Sequence, residues 1–349
     1  MRFGLSLSMQ HPMGDDLGQR FAELLETVRV ARQAGFHHVS ASQHYLAAPF
    51  QYMQPVPVLA RVAAEAGDMT LGTGIMLLAL QQPVDVAESI ATLDVICGGR
   101  FVFGVGLGYR DVEFDAFGIP RGGRLSRFLE ALEVVQRLWT EEAVTFHGTH
   151  FHLSDVRLTT RPLQKPRPPI LVAASNDKMV ERVARLADAW TIAGHATLTT
   201  LERQVGLYRA ALARAGKPFP PPLFRLGKEL YIARDMDTAL REALPYIATK
   251  YDAYAQWGQD NVLPTGETFR LPIEQLRQDR FIVGDAAHCI EQIEQHRQRL
   301  GIQEMGFRLH WPGMPHQRVL QAIALLGERV LPHFAESASA ATSALTPRG

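Results

Sequence analysis

The chain is short of cysteine and carries no surplus of charge. Only two cysteines, Cys97 and Cys289, occur in 349 residues. They lie far apart without metal-ligand spacing, so both read as small buried apolar residues. Lys plus Arg and Asp plus Glu stand at 36 each, which leaves no net charge to recruit nucleic acid or an anionic membrane. No apolar run reaches membrane-spanning length, and Met1 to Ser8 leads directly into a strand rather than a signal peptide. A cytoplasmic location is therefore expected. The 13 histidines include no HExxH. Three of them, His147, His150 and His152, fall in an expected β-hairpin whose solvated face would carry the imidazoles, so no metal site is assigned.

What the chain does have is apolar material in alternating periods. Hydrophobic residues make up 46% and charged residues 21%, enough for one large core. Residues 71 to 118 set the pattern: an apolar strand at Leu71 to Leu77, a helix at Ala87 to Cys97, and a second strand at Phe101 to Val105 that opens into glycines. The same alternation predicts further strands at Phe3 to Ser8, Val39 to Ser42, Ile170 to Ala173, Ala189 to Ile192, Leu226 to Ala233 and Met305 to His310. It predicts further helices at Leu17 to Ala34, Val56 to Ala66, Arg124 to Thr140, Asp177 to Leu186, Leu201 to Ala215, Ala286 to Leu300 and His316 to Val330. Eight strand–helix alternations predict a (β/α)₈ TIM barrel with insertions in its loops, against the competing doubly wound open sheet. The insertions are expected at 143–169 and 251–279, the second as a lid, and 335–349 as a disordered tail.

In such a barrel the chemistry sits at the carboxyl ends of the strands. Gly104-Val105-Gly106-Leu107-Gly108 has its third glycine misplaced for a dinucleotide fingerprint, and reads instead as a side-chain-poor floor open to a flat ring. At Ala174-Ser175-Asn176-Asp177-Lys178 a strand gives way to a helix. The free N–H groups there, the Ser175 hydroxyl and the Lys178 ammonium suit a phosphate, though an ordinary helix cap reads the same way.

These residues carry a family resemblance. Gly35-Phe36, Gln43-His44-Tyr45, Gly72-Thr73-Gly74-Ile75, Pro83, Ala87-Glu88, Leu93-Asp94, and Gly98-Gly99-Arg100-Phe101 with Gly104 to Tyr109 match it. So do Glu113-Phe114, Phe117-Gly118, Arg161-Pro162, Pro168-Pro169-Ile170, Phe281 to Gly284 and Trp311 to Pro315. From Phe3 to about Phe334 the chain resembles the bacterial luciferase-like monooxygenases, flavin-dependent (β/α)₈ barrels, which implies one barrel domain over residues 1–334. The resemblance implies that His44 borders the flavin as its acid/base group, since an imidazole both gives and takes a proton near neutral pH. It also implies a cis peptide at Gly74–Ile75 beneath the ring, and a phosphate loop at Ser175 and Asn176 with Lys178. The flavin-binding residues it implies are Gly74, Ile75, Gly106, Leu107, Gly108, Tyr109, Ala174, Ser175, Asn176 and Lys178. The implied activity is a monooxygenase that takes reduced FMN from a separate flavin reductase and uses O₂ to oxidise a small organic substrate. Two alternatives are a deazaflavin-dependent oxidoreductase that transfers hydride and a non-catalytic flavin-binding protein, and a homodimer is expected in each case. Gln43 and Ala174 stand where luciferases carry acidic residues and Leu107 where they carry arginine, which argues against luminescence.

Overall fold

The computed structural model describes residues 1–221 and 223–335. Eight parallel strands follow one another around a closed ring: β1 (Arg2–Ser6), β2 (His38–Ala41), β3 (Thr70–Thr73), β4 (Phe101–Gly106), β5 (Ile170–Ala173), β6 (Ala189–Ala193), β7 (Arg225–Ile232) and β8 (Glu304–Arg308). Each pairs with the next, and β8 returns to β1 through Arg2↔Glu304 to Leu5↔Phe307. That closing ladder excludes the open sheet. Helices α1 (Leu17–Gln33), α2 (Pro55–Ala66), α3 (Pro83–Ile96), α4 (Arg124–Thr140), α5 (Asp177–Leu186), α6 (Leu198–Arg214), α7 (Met236–Gln256), α8 (Ala286–Leu300) and α9 (His316–Arg329) lie between them. No helix among the described residues is long and apolar enough to cross a membrane.

The helix starts are written locally. Asp16, Asn176, Thr197, Asp235 and Asp285 each accept a first-turn N–H, while Pro55 and Pro83 open α2 and α3 at positions whose missing N–H costs nothing. Alternation along the strands then sorts the core. On β1, Phe3 and Leu5 are buried outward, Phe3 stacking on Phe307 with ring centroids 5.5 Å apart, while Gly4 abuts the His38 ring and Ser6 faces the barrel interior. Ser6, Ser40, Gly227 and Gly306 line a cavity inside the barrel, where bulky branched residues usually fill such a layer. Below them a charged cluster closes the floor: Glu304 receives Arg225 at 3.1 Å and Arg2 at 2.9 Å, with His38 Nδ1 3.1 Å away.

The structure departs from the pattern reading in several places. Strand Leu71 to Leu77 is interrupted: β3 ends at Thr73, the Gly74–Ile75 peptide is cis, and Met76–Leu77 resumes the pairing with β4. No helix was expected between Ala233 and Tyr251, yet α7 fills that stretch, and residues 251–256 are its last turns rather than the start of a loop. Pro245 inside it reads as a breaker. Burial of Ala239, Ala243, Leu244, Ile247, Tyr251 and Tyr254 at helical spacing outweighs the lost hydrogen bond. Two short pairings also went unread: Gln10–Pro12 with Phe50–Tyr52, and Ile282–Gly284 along the end of β7. The expected hairpin is present as Val144–His147 against His152–Val156. Residues 336–349 of the expected tail lie outside the described residues.

Burial makes the fold acid-sensitive. It pushes the imidazole of His11 down to about 4 and those of His38 and His296 down to about 3, from an ordinary 6.5. Each folded value lies below the unfolded one, so as pH falls through 6.5 the unfolded chain takes up protons that the native chain refuses. Stability is thus full above about 6.5 and drains away toward 3, at roughly 1 kcal/mol per pH unit for each such histidine. Urea midpoints should drop steadily from pH 7 to pH 5. A flat profile over that range would contradict this account.

Candidate active site

The carboxyl ends of the strands converge on a cavity of about 260 Å³. On one side, β2 runs out into Ser42, Gln43 and His44. Gln43 is fixed from both ends, its Oε1 accepting the Leu77 N–H at 2.9 Å and its Nε2 donating to the Tyr45 hydroxyl at 2.9 Å. That clamp joins the β2 loop to the segment after the cis peptide and holds the His44 backbone, whose carbonyl also accepts Gln54 Nε2 at 2.9 Å.

His44 is oriented by a carboxylate from the short helix Asp111–Ala116 that follows β4. Its Nδ1 donates to Glu113 Oε1 at 2.9 Å, and the same oxygen accepts the Tyr45 N–H at 2.9 Å and Arg110 Nη1 at 3.4 Å. Glu113 is fully buried. An ionised Glu113 fixes the tautomer, so Nε2 of the neutral ring carries the lone pair and is free to exchange a proton. Nε2 has no hydrogen-bond partner among the described residues, and His44 lines the cavity. Aromatic rings box it in, with centroids at 5.6 Å for Tyr52, 5.8 Å for Tyr109 and 5.4 Å for Trp257. The Arg110 guanidinium lies 4.1 Å over Trp257, tying the end of α7 to the same cluster. Burial raises the Tyr52 and Tyr109 hydroxyls well above the ordinary range, which keeps them neutral.

Opposite lies the glycine run, and it works differently from the open floor expected. A Cβ on Gly104 would fall within the shell of the Thr73 carbonyl oxygen, and one on Gly106 would strike the Ile75 side chain. Both glycines therefore seat the Gly74–Ile75 bulge, and Ile75, partly exposed, is the surface that faces the cavity. Gly108, at φ +80°, turns the chain away past Phe114.

At the end of β5, Ser175 lines the cavity and Asn176 caps α5, accepting Met179 N–H at 3.0 Å. The Ala174 carbonyl is held by Trp190 Nε1 at 3.1 Å and the Ser175 carbonyl by Gln204 Nε2 at 2.7 Å, so this loop is rigid. The neighbouring Asp177 is bound at both oxygens by Arg203, at 2.6 and 3.0 Å, which holds the carboxyl below its usual range. Of the residues named from sequence, His44, Gly74, Ile75, Gly108, Tyr109 and Ser175 line the cavity together. Gly106 and Ala174 stand behind that wall, Leu107 packs on the core, and Lys178 and Asn176 are exposed at the helix start.

Sequence reasoning expected 251–279 as a lid but did not name the residues there, or the preceding Lys250, that reach the cavity. Lys250 and Tyr254 reach the cavity from α7, and Gln259 and Val262 from the segment after it, with Tyr109 donating to Gln259 Oε1 at 3.3 Å. That segment is pinned through Glu267, which accepts from the Thr197 and Thr200 hydroxyls at 2.7 and 2.6 Å and pairs with Arg280. The capping pattern of Asp235 three residues before Thr238 is the signal by which α7 could have been found.

A closed (β/α)₈ barrel whose mouth joins a carboxylate-oriented histidine, an apolar bulge and a helix start is the architecture of a cofactor-binding enzyme of the TIM-barrel class. A family profile described as luciferase-like monooxygenase matches residues 1–304, and the chain belongs to that family. The crystal structure of monooxygenase RslO1 from Streptomyces bottropensis superposes with a TM-score of 0.85 at 28% identity, covering 96% of this chain and 100% of the other. The chain is 26% identical over 307 residues to 4-hydroxyprotoasukamycin monooxygenase of Streptomyces nodosus subsp. asukaensis, covering 86% of this chain and 83% of the relative. It is 27% identical over 326 residues to F420-dependent glucose-6-phosphate dehydrogenase of Nakamurella multipartita, covering 90% and 92%. Other curated relatives match it over only about half their length.

Proposed function

We propose that the protein is a two-component flavin monooxygenase that takes reduced FMN from a separate reductase and uses O₂ to oxidise a small organic substrate. The observation that carries this reading is the His44–Glu113 pair, whose free Nε2 belongs to the same cavity as the Ile75 bulge. FMN, when bound, supplies the redox chemistry with O₂. The residues present fit it: Ile75 offers an apolar platform for a ring, and the start of α5 at Ser175 offers N–H groups and a helix dipole to a phosphate. Gln259 and Val262, held by Tyr109 and the Glu267 anchor, cover the mouth and exclude water. His44 then holds or releases a proton at Nε2, while Glu113 keeps the ring in register. The 26–28% identity to two monooxygenases over most of the chain supports oxygen chemistry. A homodimer through the helices beside β2 and β3 belongs to the same reading, supported by exposed Val95 and Ile96 at the end of α3.

The second reading, hydride transfer with a deazaflavin, draws on the 27% identity to an F420-dependent dehydrogenase over 90% of the chain. Binding separates the two. Titrated by calorimetry or fluorescence, the protein should bind reduced FMN at least tenfold more tightly than reduced F420, and with reductase and O₂ it should add an oxygen atom to a substrate detectable by mass spectrometry. The reverse preference would hand the site to the deazaflavin. Binding of neither would remove both readings.

A further inference from the structure

The half of the cavity away from the flavin grip holds a guanidinium that, among the described residues, no side chain meets with a hydrogen bond. Around the ring of strands, Ile75, Gly108 and Ser175 follow β3, β4 and β5, whereas Arg308 ends β8, half a circumference from β4. Arg308 lines the cavity, and among the described residues no ion pair or hydrogen bond engages its guanidinium. The other charges near it are already spoken for. Glu304 holds Arg225 at the floor, and Glu229 pairs with Lys250 while also accepting from Trp311 Nε1. Lys228 points its ammonium at the carbonyls of Gly194, at 3.4 Å, and Arg280, at 3.0 Å. Glu229 thus stands between two cations: it pairs directly with Lys250 and attracts Arg308 through space without a hydrogen bond to it.

A half-buried guanidinium whose donors find no protein acceptor has unused hydrogen-bonding capacity, which a ligand in the cavity can complete. There is room for such a group. Gly227, on β7 beside Arg308's strand, meets nothing within 3.7 Å of where its Cβ would be, and Gly306 lies one layer below Arg308 on the same inward face. Arginine's planar fork matches a carboxylate in two parallel hydrogen bonds.

We propose that the substrate is an organic acid whose carboxylate binds Arg308 on the side of the barrel mouth opposite the flavin. This names the substrate class of the site described under the proposed function and rests on that reading, but its test does not need the reading to hold. The probes are benzoate and hexanoate against the uncharged amides of the same shape, benzamide and hexanamide, titrated by calorimetry into flavin-free and FMN-loaded protein. The acids should bind at least about tenfold more tightly than the amides. Arg308→Gln should abolish that preference with FMN affinity unchanged, and Arg308→Lys should hold the acids more tightly than Arg308→Gln does. The Gln variant should also be about as resistant to urea as the wild type, because no hydrogen-bond partner is orphaned by it and Glu229 keeps Lys250 and Trp311. Equal binding of acids and amides to the wild type, a preference that survives in Arg308→Gln, or loss of FMN affinity in that variant would each overturn the proposal, the last by giving Arg308 to the cofactor. A marked loss of stability in Arg308→Gln would overturn it too, by making the residue structural. If the wild type bound neither flavin nor deazaflavin, the cofactor reading would fail, and the acid titration of the flavin-free protein would still decide this one.

Discussion

His44→Ala should lower substrate oxidation by about 10²- to 10⁴-fold while leaving FMN affinity within a few-fold of the wild type. That is the range for removal of a positioned acid/base group, and the site gives His44 no other duty that alanine would abolish. Its Nδ1 is spent on Glu113 and its ring is boxed by Tyr52, Tyr109 and Trp257, so only Nε2 faces the reacting space. A packing role makes a different forecast. His44→Phe keeps an aromatic ring in the box, and if packing were the whole contribution it would retain turnover. Both variants leave the fully buried Glu113 carboxylate with Tyr45 and Arg110 only, at a cost of about 1–3 kcal/mol. Activity must therefore be compared at a temperature where urea titration shows each variant folded. Normal turnover in folded His44→Ala would end the acid/base assignment. Glu113→Gln tests the same pair from behind: by weakening the hold on the ring it should change the pH profile of turnover more than the Michaelis constant for substrate.

What the sequence makes legible in this site is what lies in short local strings. His44 follows a strand by a few residues, the Gly74–Ile75 bulge interrupts an apolar run, and Ser175-Asn176 marks a strand passing into a helix. Each is recognisable without knowing the rest of the chain. Glu113 is 69 positions from His44, and nothing in either string names the other. The closed ring was legible because eight apolar runs repeat, whereas α7, which lies between the expected strand at Leu226 to Ala233 and the expected helix at Ala286 to Leu300, hid behind Pro245 and a polar stretch. That missing helix took Lys250, Tyr254 and Trp257 out of view, and with them half of the cavity wall. Gly106 shows a subtler limit. The absence of a side chain is visible in a sequence, but what fills the notch is not, and here it is Ile75 of the neighbouring strand rather than a bound ring.

The two glycines of β4 should respond in opposite ways to the same substitution. Gly104→Ala places a Cβ against the Thr73 carbonyl, which is backbone in the adjacent strand and cannot rotate aside. The surrounding contacts hold it there: Thr73 Oγ1 donates to the Gly104 carbonyl at 2.7 Å, and the Gly104 N–H donates back to Thr73 Oγ1 at 3.0 Å. Relief requires parting β3 from β4, so a loss of about 3 kcal/mol or more is expected, seen as a lowered urea midpoint or as insoluble protein. Gly106→Ala meets only the far end of the Ile75 side chain, which can change rotamer. That variant should fold with near-normal stability, yet it displaces the apolar Ile75 surface offered to the ring, so its flavin affinity or bound-flavin spectrum should shift. If Gly104→Ala proves as stable as the wild type, the tight seating of the bulge on β4 is wrong. If Gly106→Ala binds flavin with an unaltered spectrum and affinity, Ile75 is not the surface on which the cofactor rests.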